Sequence, residues 1–269
     1  MNPLTSGSTN ASSTLLSSLS RNSNSITDIQ TQLSTNKKIL DPAQQGVVTR
    51  LSSQVTSFGA AHNNIGKAQN VLSVTSTSLK TTSNLLTQMQ DLANKASDAT
   101  MTTPDADKLQ KTFAHLLSQI DSSADAAQVD GIGLMGSTSA DLNIQTGLSA
   151  TNQTTISAVK SDTGTLNIGT LDISTTAGAA AAITALKLAL DTVSTNQSSI
   201  AADQMALSAV DEQGMAISQN LQNTIDTIQK PDAAQLQMDL QNMNNQQSMN
   251  YYLINQLNQQ AQAVLTIFR

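Results

Sequence analysis

Apolar residues recur at heptad spacing along most of this chain. Between Pro42 and Pro104 one position repeats every seven residues through Leu51, Phe58, Ile65, Leu72, Leu79, Leu86 and Ala93, the seam of a long amphipathic helix that needs a partner helix. Three residues after each stand Gln54, Ala61, Ala68, Thr75, Thr82, Met89 and Ala96. These are mostly small, so a partner could approach closely. A helix from about residue 43 to 100 would be roughly 85 Å long. A second series runs through Leu186, Val193, Ile200, Leu207, Gly214, Leu221 and Ile228, widened by Leu190, Val210, Ile217 and Ile225. It predicts a return helix packed along the first.

Prolines punctuate this pattern at Pro3, Pro42, Pro104 and Pro231, positions suited to first helical turns and poorly tolerated further inside a helix. Thr103 as N-cap, Pro104, and acidic Asp105 and Asp107 open a shorter helix carrying Leu109, Phe113, Leu116, Ile120 and Ala124. From residue 137 to 175 the period falls to short alternating runs, Leu142–Ile144, Thr154–Val159 and Leu166–Ile173, separated by Gly, Ser, Thr and Asn. These predict β-hairpins. The Ala-rich run from Ala177 to Ala182 is expected to start the return helix.

Both ends carry stripes of their own. Near the N-terminus Leu15, Leu16, Leu19, Ile26, Ile29, Leu33 and Leu40 stand among Ser, Thr and Asn. Near the C-terminus Leu236, Leu240, Met243, Gln247, Asn250, Ile254, Leu257, Ala261, Val264 and Phe268 alternate at fours and threes. Such helices, short of charge pairs and of strong helix formers, are marginal alone in water. After Pro231 the only charged side chains are Asp232, Asp239 and Arg269. Ends this poor in charge are expected to be covered by neighbours in an assembly and mobile in the free chain. The residues expected to carry that association are Leu19, Ile26, Ile29, Leu33, Leu240, Met243, Ile254, Leu257, Val264 and Phe268.

The fold predicted is mainly α, an elongated helical hairpin or coiled-coil rod with a small β-hairpin region at one end. Its expected parts are residues 1–42 and 231–269 as terminal helices, 43–136 and 177–230 as the helices of the rod, and 137–176 as the β tip. Composition agrees: 269 residues hold only three Phe, two Tyr and no Trp, a palette better suited to thin bundles than to a thick core. With no Cys, disulfides and thiolate metal sites are excluded. The net charge of -6, with 13 scattered Lys and Arg, offers no basic face for nucleic acid. Neither an uninterrupted apolar run of membrane-spanning length nor a Sec-type leader is found in the sequence, so no membrane partner is expected.

Chemistry adds little. Residues 131–136 read Gly-Ile-Gly-Leu-Met-Gly, a formal GxGxxG, but it follows a helix and precedes a β pattern, the reverse of the strand-to-helix context that holds a pyrophosphate. It is expected to be a turn. His62 and His115 lack ligand-spaced companions and are expected to be structural. Asp203, Asp211 and Glu212 are expected on a solvated helix face. No catalytic constellation, cofactor site or metal site is predicted.

Several segments in order resemble the bacterial flagellins. Leu33–Pro42 (LSTNKKILDP) resembles that family's turn between inner and outer core helices, with Asn36 where Gly is usual and Asp41-Pro42 departing from the acidic run. LLTQMQDLANKASDAT from Leu85 and LSQIDSSADAAQVDGIGLM from Leu117 resemble its long and short outer-core helices. LNIQTGLSATNQTTIS from Leu142 is similar to its β-hairpin, and QAQAVLTIFR to its terminus. The resemblance implies an exported, extracellular filament subunit whose paired terminal helices line a central channel. The partners implied are copies of itself, the flagellar cap and hook-junction proteins, an export chaperone and the type III export apparatus. With about 40 residues in the middle, the chain is expected to lack the family's larger outer domains. The family's receptor-recognition patch, an Arg, a Leu and a Glu, maps here onto Gln88, Leu92 and Gln119. Loss of both charges implies weak recognition by the mammalian receptor. The alternatives are a hook-filament junction protein and a soluble coiled-coil adaptor.

Overall fold

The computed structural model describes residues 3–149 and 151–267. In chain order the elements are α1 (Pro3–Thr35), α2 (Pro42–Ala96), α3 (Thr103–Ala126), β1 (Gln128–Val129), β2 (Ile132–Gly133), β3 (Leu142–Gln145), β4 (Gln153–Ile156), α4 (Thr176–Gln229) and α5 (Ala233–Ile267). The fold is mainly α, with the strands confined to two small antiparallel pairs. Contacts divide the chain into two units, one formed by the chain up to Ser52 and from Leu221 onward, the other by Ser53–Asn220.

In the first unit α1 pairs with α5. Helix α1 ends where Asn36 takes φ 51, the left-handed conformation that terminates helices and that Asn tolerates better than other side chains with a Cβ. The linker that follows is pinned by the Lys38 N–H, which donates to the Gln229 carbonyl at 2.7 Å. Asp41 then caps α2, its Oδ1 accepting the Gln44 N–H at 2.7 Å, with Pro42 in the first turn where it sacrifices no hydrogen bond. The return border repeats the device. The Asp232 carboxylate accepts the N–H groups of Ala234 and Gln235, both at 3.1 Å, and so caps α5.

The second unit is built on the two heptad series. On α2, Ile65, Leu72, Leu79, Leu86 and Ala93 are buried, as are Ala61, Ala68, Thr75, Thr82, Met89 and Ala96 three residues on. On α4, Leu186, Val193, Ile200 and Leu207 meet them in one core, and Phe113, Leu116, Ile120 and Ala124 bring α3 into it. The α3 N-cap is Thr102 rather than Thr103, and its hydroxyl donates to Asp105 Oδ2 at 2.7 Å instead of bonding a backbone N–H.

The β region differs from the sequence reading in two places. Asp130 (φ 52) and Gly131 (φ 79) form a tight turn joining β1 to β2, a short hairpin that the sequence reading took only as a turn. Positive φ at both positions is what an Asp-Gly type I′ hairpin requires. Leu134 and Met135 then enter the core, flanked by the Val159 and Ser161 N–H groups donating to their carbonyls at 2.8 and 2.9 Å. Strands β3 and β4 pair as expected, Leu142 opposite Ile156 through Gln145 opposite Gln153. The run Leu166–Ile173, expected as a strand, is a series of turns. Thr163 donates its N–H and hydroxyl to the Asp121 carboxylate at 2.8 and 2.9 Å, and the Ile173 N–H reaches Gln110 Oε1 at 2.8 Å. Held to α3 in this way, the segment buries Leu166, Ile168 and Ile173 from a turn conformation.

Within Thr176–Gln260 one window is apolar enough, by length and composition, to cross a membrane. The expectation of no such stretch therefore holds only for an uninterrupted run. At the start of α4, Ala179, Ala182, Leu186 and Ala189 are turned into the core.

Candidate interaction surfaces

The terminal stripes are brought together. Ile26 and Ile29 are buried; Leu19, Leu33, Leu240, Met243, Ile254 and Leu257 are half-buried along the α1–α5 pair. Val264 lies in α5 with no description of its side chain, and Phe268 lies outside the described residues. The pairing is specific at one polar point. Asn22, buried midway along the seam, donates from Nδ2 to the Met243 carbonyl at 2.8 Å.

Pairing leaves a second apolar set uncovered. Met238, Met249, Tyr251, Tyr252 and Leu253 on α5, with Leu16 on α1, are exposed. Asp239 is the sole charged residue of α5. Isolated apolar side chains on a surface are ordinary, but several on a helix almost without charge form a patch of the kind that marks association sites.

In the second unit the positions that the resemblance aligns with the family's receptor patch are Gln88 and Gln119, both exposed, and Leu92, half-buried against the core. Gln119 contacts His115 one turn earlier, Nε2 to Nε2 at 3.2 Å. His62 is tied across the bundle to Asp211, Nδ1 to Oδ1 at 2.7 Å. Asp211 is half-buried at this hydrogen bond, and Asp203 is half-buried as well, its carboxyl pushed above its ordinary value by burial. Of the expected solvated face only Glu212 is exposed. The series predicts this, since Asp203 falls three residues after Ile200 and Asp211 four after Leu207, beside the seam rather than opposite it.

One shallow groove runs between α2 and the hairpins, lined by Asn64, Lys67, Asn70, Asp130, Asn143 and Gln145 among others. Its polar groups are chiefly amides, with one Lys and one Asp and no nucleophile-base pair. Among the described residues no cluster of three or more His, Asp or Glu is placed to hold a metal.

A terminal helix pair in one unit, and long helices sharing a single core with two small antiparallel strand pairs in the other, define a mainly α, helical-hairpin class of protein. Residues 8–140 match the bacterial flagellin N-terminal helical region. A solved Bacillus cereus flagellin is similar over 56% of this chain and 88% of its own, at 26% identity and a TM-score of 0.52. A putative flagellar hook-associated protein from Vibrio parahaemolyticus shares the fold over 69% of this chain and 97% of its own, at 14% identity and a TM-score of 0.56. Among curated proteins no sequence matches. The chain is a flagellin-like protein.

Proposed function

We propose that this chain is a flagellin, a structural subunit that is exported and polymerises with copies of itself into the extracellular flagellar filament. The observation that carries the reading is the nearly uncharged outer face of α5, where Met238, Met249, Tyr252 and Leu253 are exposed among Asn and Gln. The intramolecular pairing with α1 uses the other face, so only a neighbour can cover this one. Burial of such side chains stabilises by about 1.5–3 kcal/mol each, enough collectively to drive association. The likeness to the Bacillus cereus flagellin supports the same reading. Of the ten terminal residues expected from sequence, the eight whose side chains are described, Leu19, Ile26, Ile29, Leu33, Leu240, Met243, Ile254 and Leu257, act in it by holding α1 and α5 together, which presents the outer face. Purified protein added to sheared flagellar filaments is expected to extend them, as seen by electron microscopy; absence of growth on any seed would refute the reading.

The shared fold with the Vibrio hook-associated protein favours one second reading, a hook-filament junction subunit. That reading predicts short zones of fixed length instead of long filaments in the same experiment.

A further inference from the structure

The second unit carries opposite charge on its two longest helices. After Lys187, α4 has no Lys or Arg, and up to Asn220 it carries Asp191, Asp203, Asp211 and Glu212. Over Ser53–Ala96, α2 carries Lys67, Lys80 and Lys95 against Asp91 alone. Among the described residues Lys108–Asp105 is the Lys or Arg ion pair and His62 is hydrogen-bonded to Asp211, so no ion pair joins an α2 lysine to an α4 acid. Lys67, Lys80, Asp191 and Glu212 are all exposed, Lys67 sharing its groove with Asp130.

The acidic face is also apolar. Asp191, Ser198, Met205 and Glu212 follow one another at sevens on the outside of α4, and Met205 is 69% exposed between the two acids. Leu188 is 65% and Met215 54% exposed nearby. On α2, Lys67 and Lys95 are four heptads apart and Lys80 lies one position from the same row, so the bases share the side away from the seam. Both seams turn into one core, and the two outer faces therefore look in different directions.

Resting on the reading of the chain as a polymer subunit, we infer that the outer face of α4, centred on Met205 with Asp191 and Glu212, docks on the lysine-bearing outer face of α2 of a second copy. The two faces differ, so the contact is heterologous. It leaves one of each face free at the ends and propagates instead of closing. Exposed ion pairs contribute little affinity individually. Here the charges select partner face and orientation, while Met205, Leu188 and Met215 supply the buried area.

The experiment uses the full chain in four forms, each checked for native helix content by far-UV circular dichroism, with assembly measured by sedimentation at low salt. The forms are wild type, Lys67→Glu with Lys80→Glu, Asp191→Lys with Glu212→Lys, and all four changes together. Each two-site variant alone is expected to assemble at least ~10-fold less than wild type. The four-site variant, and an equimolar mixture of the two two-site variants, are expected to recover assembly because complementarity is restored. High salt is expected to shrink the differences, through screening. A two-site variant that assembles like wild type, or a four-site variant and mixture no better than the two-site forms, overturns the inference and leaves the polymer reading intact. A wild-type chain that never assembles, even on filament seeds, overturns both.

Discussion

Asn22 and Met243 meet across the terminal helix pair, the Asn22 amide donating to the Met243 carbonyl at 2.8 Å from a buried position. Asn22 Oδ1 is buried with no hydrogen-bond partner. A polar side chain at a seam position lowers stability but fixes alignment, and an unpaired buried acceptor costs about 1–3 kcal/mol. Asn22→Leu is therefore expected to raise the thermal midpoint of the α1–α5 pair while weakening its register. Circular dichroism melts check the first effect. Cross-linking between cysteines introduced at Ile26 and Asp239 checks the second, with a lower yield expected when Asn22→Leu is present.

The two Asp caps at the unit borders act alike. Asp41→Ala and Asp232→Ala each expose helix N–H groups that are now satisfied, and each is expected to destabilise its helix by about 1 kcal/mol. Asn at either site is expected to retain most of that stability, because it offers the same acceptor. Hydrogen exchange at Gln44 and Gln235 reports the loss locally.

Burial raises the Asp203 carboxyl above its ordinary value. For a carboxyl so shifted, the folded chain binds its proton more tightly than the unfolded one. Stability from this group is thus greatest in acid and falls as pH rises from the unfolded value, 3.8, through the folded one. Asp203→Asn is expected to be more stable than wild type at neutral pH, with the gap closing below the unfolded value. Urea midpoints measured across that range decide it.

Gly178 sits in the first turn of α4, where an added Cβ would collide with the Asp172 carbonyl oxygen. Backbone cannot yield there without moving the turn segment that buries Ile173. Gly178→Ala is expected to cost about 1–3 kcal/mol, although Ala is the better helix former, whereas Ala180→Gly at a neighbouring exposed position is expected to cost no more than about 1 kcal/mol.

Gln88 and Gln119 stand where the resemblance to flagellins puts an Arg and a Glu, and both are exposed. Wild-type protein is expected to evoke a weak response from the mammalian flagellin receptor, and Gln88→Arg with Gln119→Glu to strengthen it. A full response at nanomolar wild-type protein, in a reporter assay of dose dependence, contradicts this.

The long helices were legible because heptad spacing is a local signal that tertiary packing amplifies: Leu72, Leu79 and Leu86 are all fully buried. The run Leu166–Ile173 was misread for the complementary reason. Its alternation resembles a strand, but Asn167 takes φ 55, and the Thr165 hydroxyl and N–H are both engaged by Asp162. Although burial alone would raise it, those bonds hold the Asp162 carboxyl below its ordinary value. The decisive anchor, Asp121, lies 42 residues away in sequence. No window contains both partners. Of the surfaces, the terminal stripes could be read directly, but which face each helix would spend on its own chain could not. That required knowing that α1 and α5 choose each other.

Tyr251 and Tyr252 are the only tyrosines of a chain without tryptophan, and both are exposed on α5. The ultraviolet emission of the protein consequently arises from two rings on the very helix assigned to association. An unlabelled sample carries its own optical gauge of whether that helix is wet or covered.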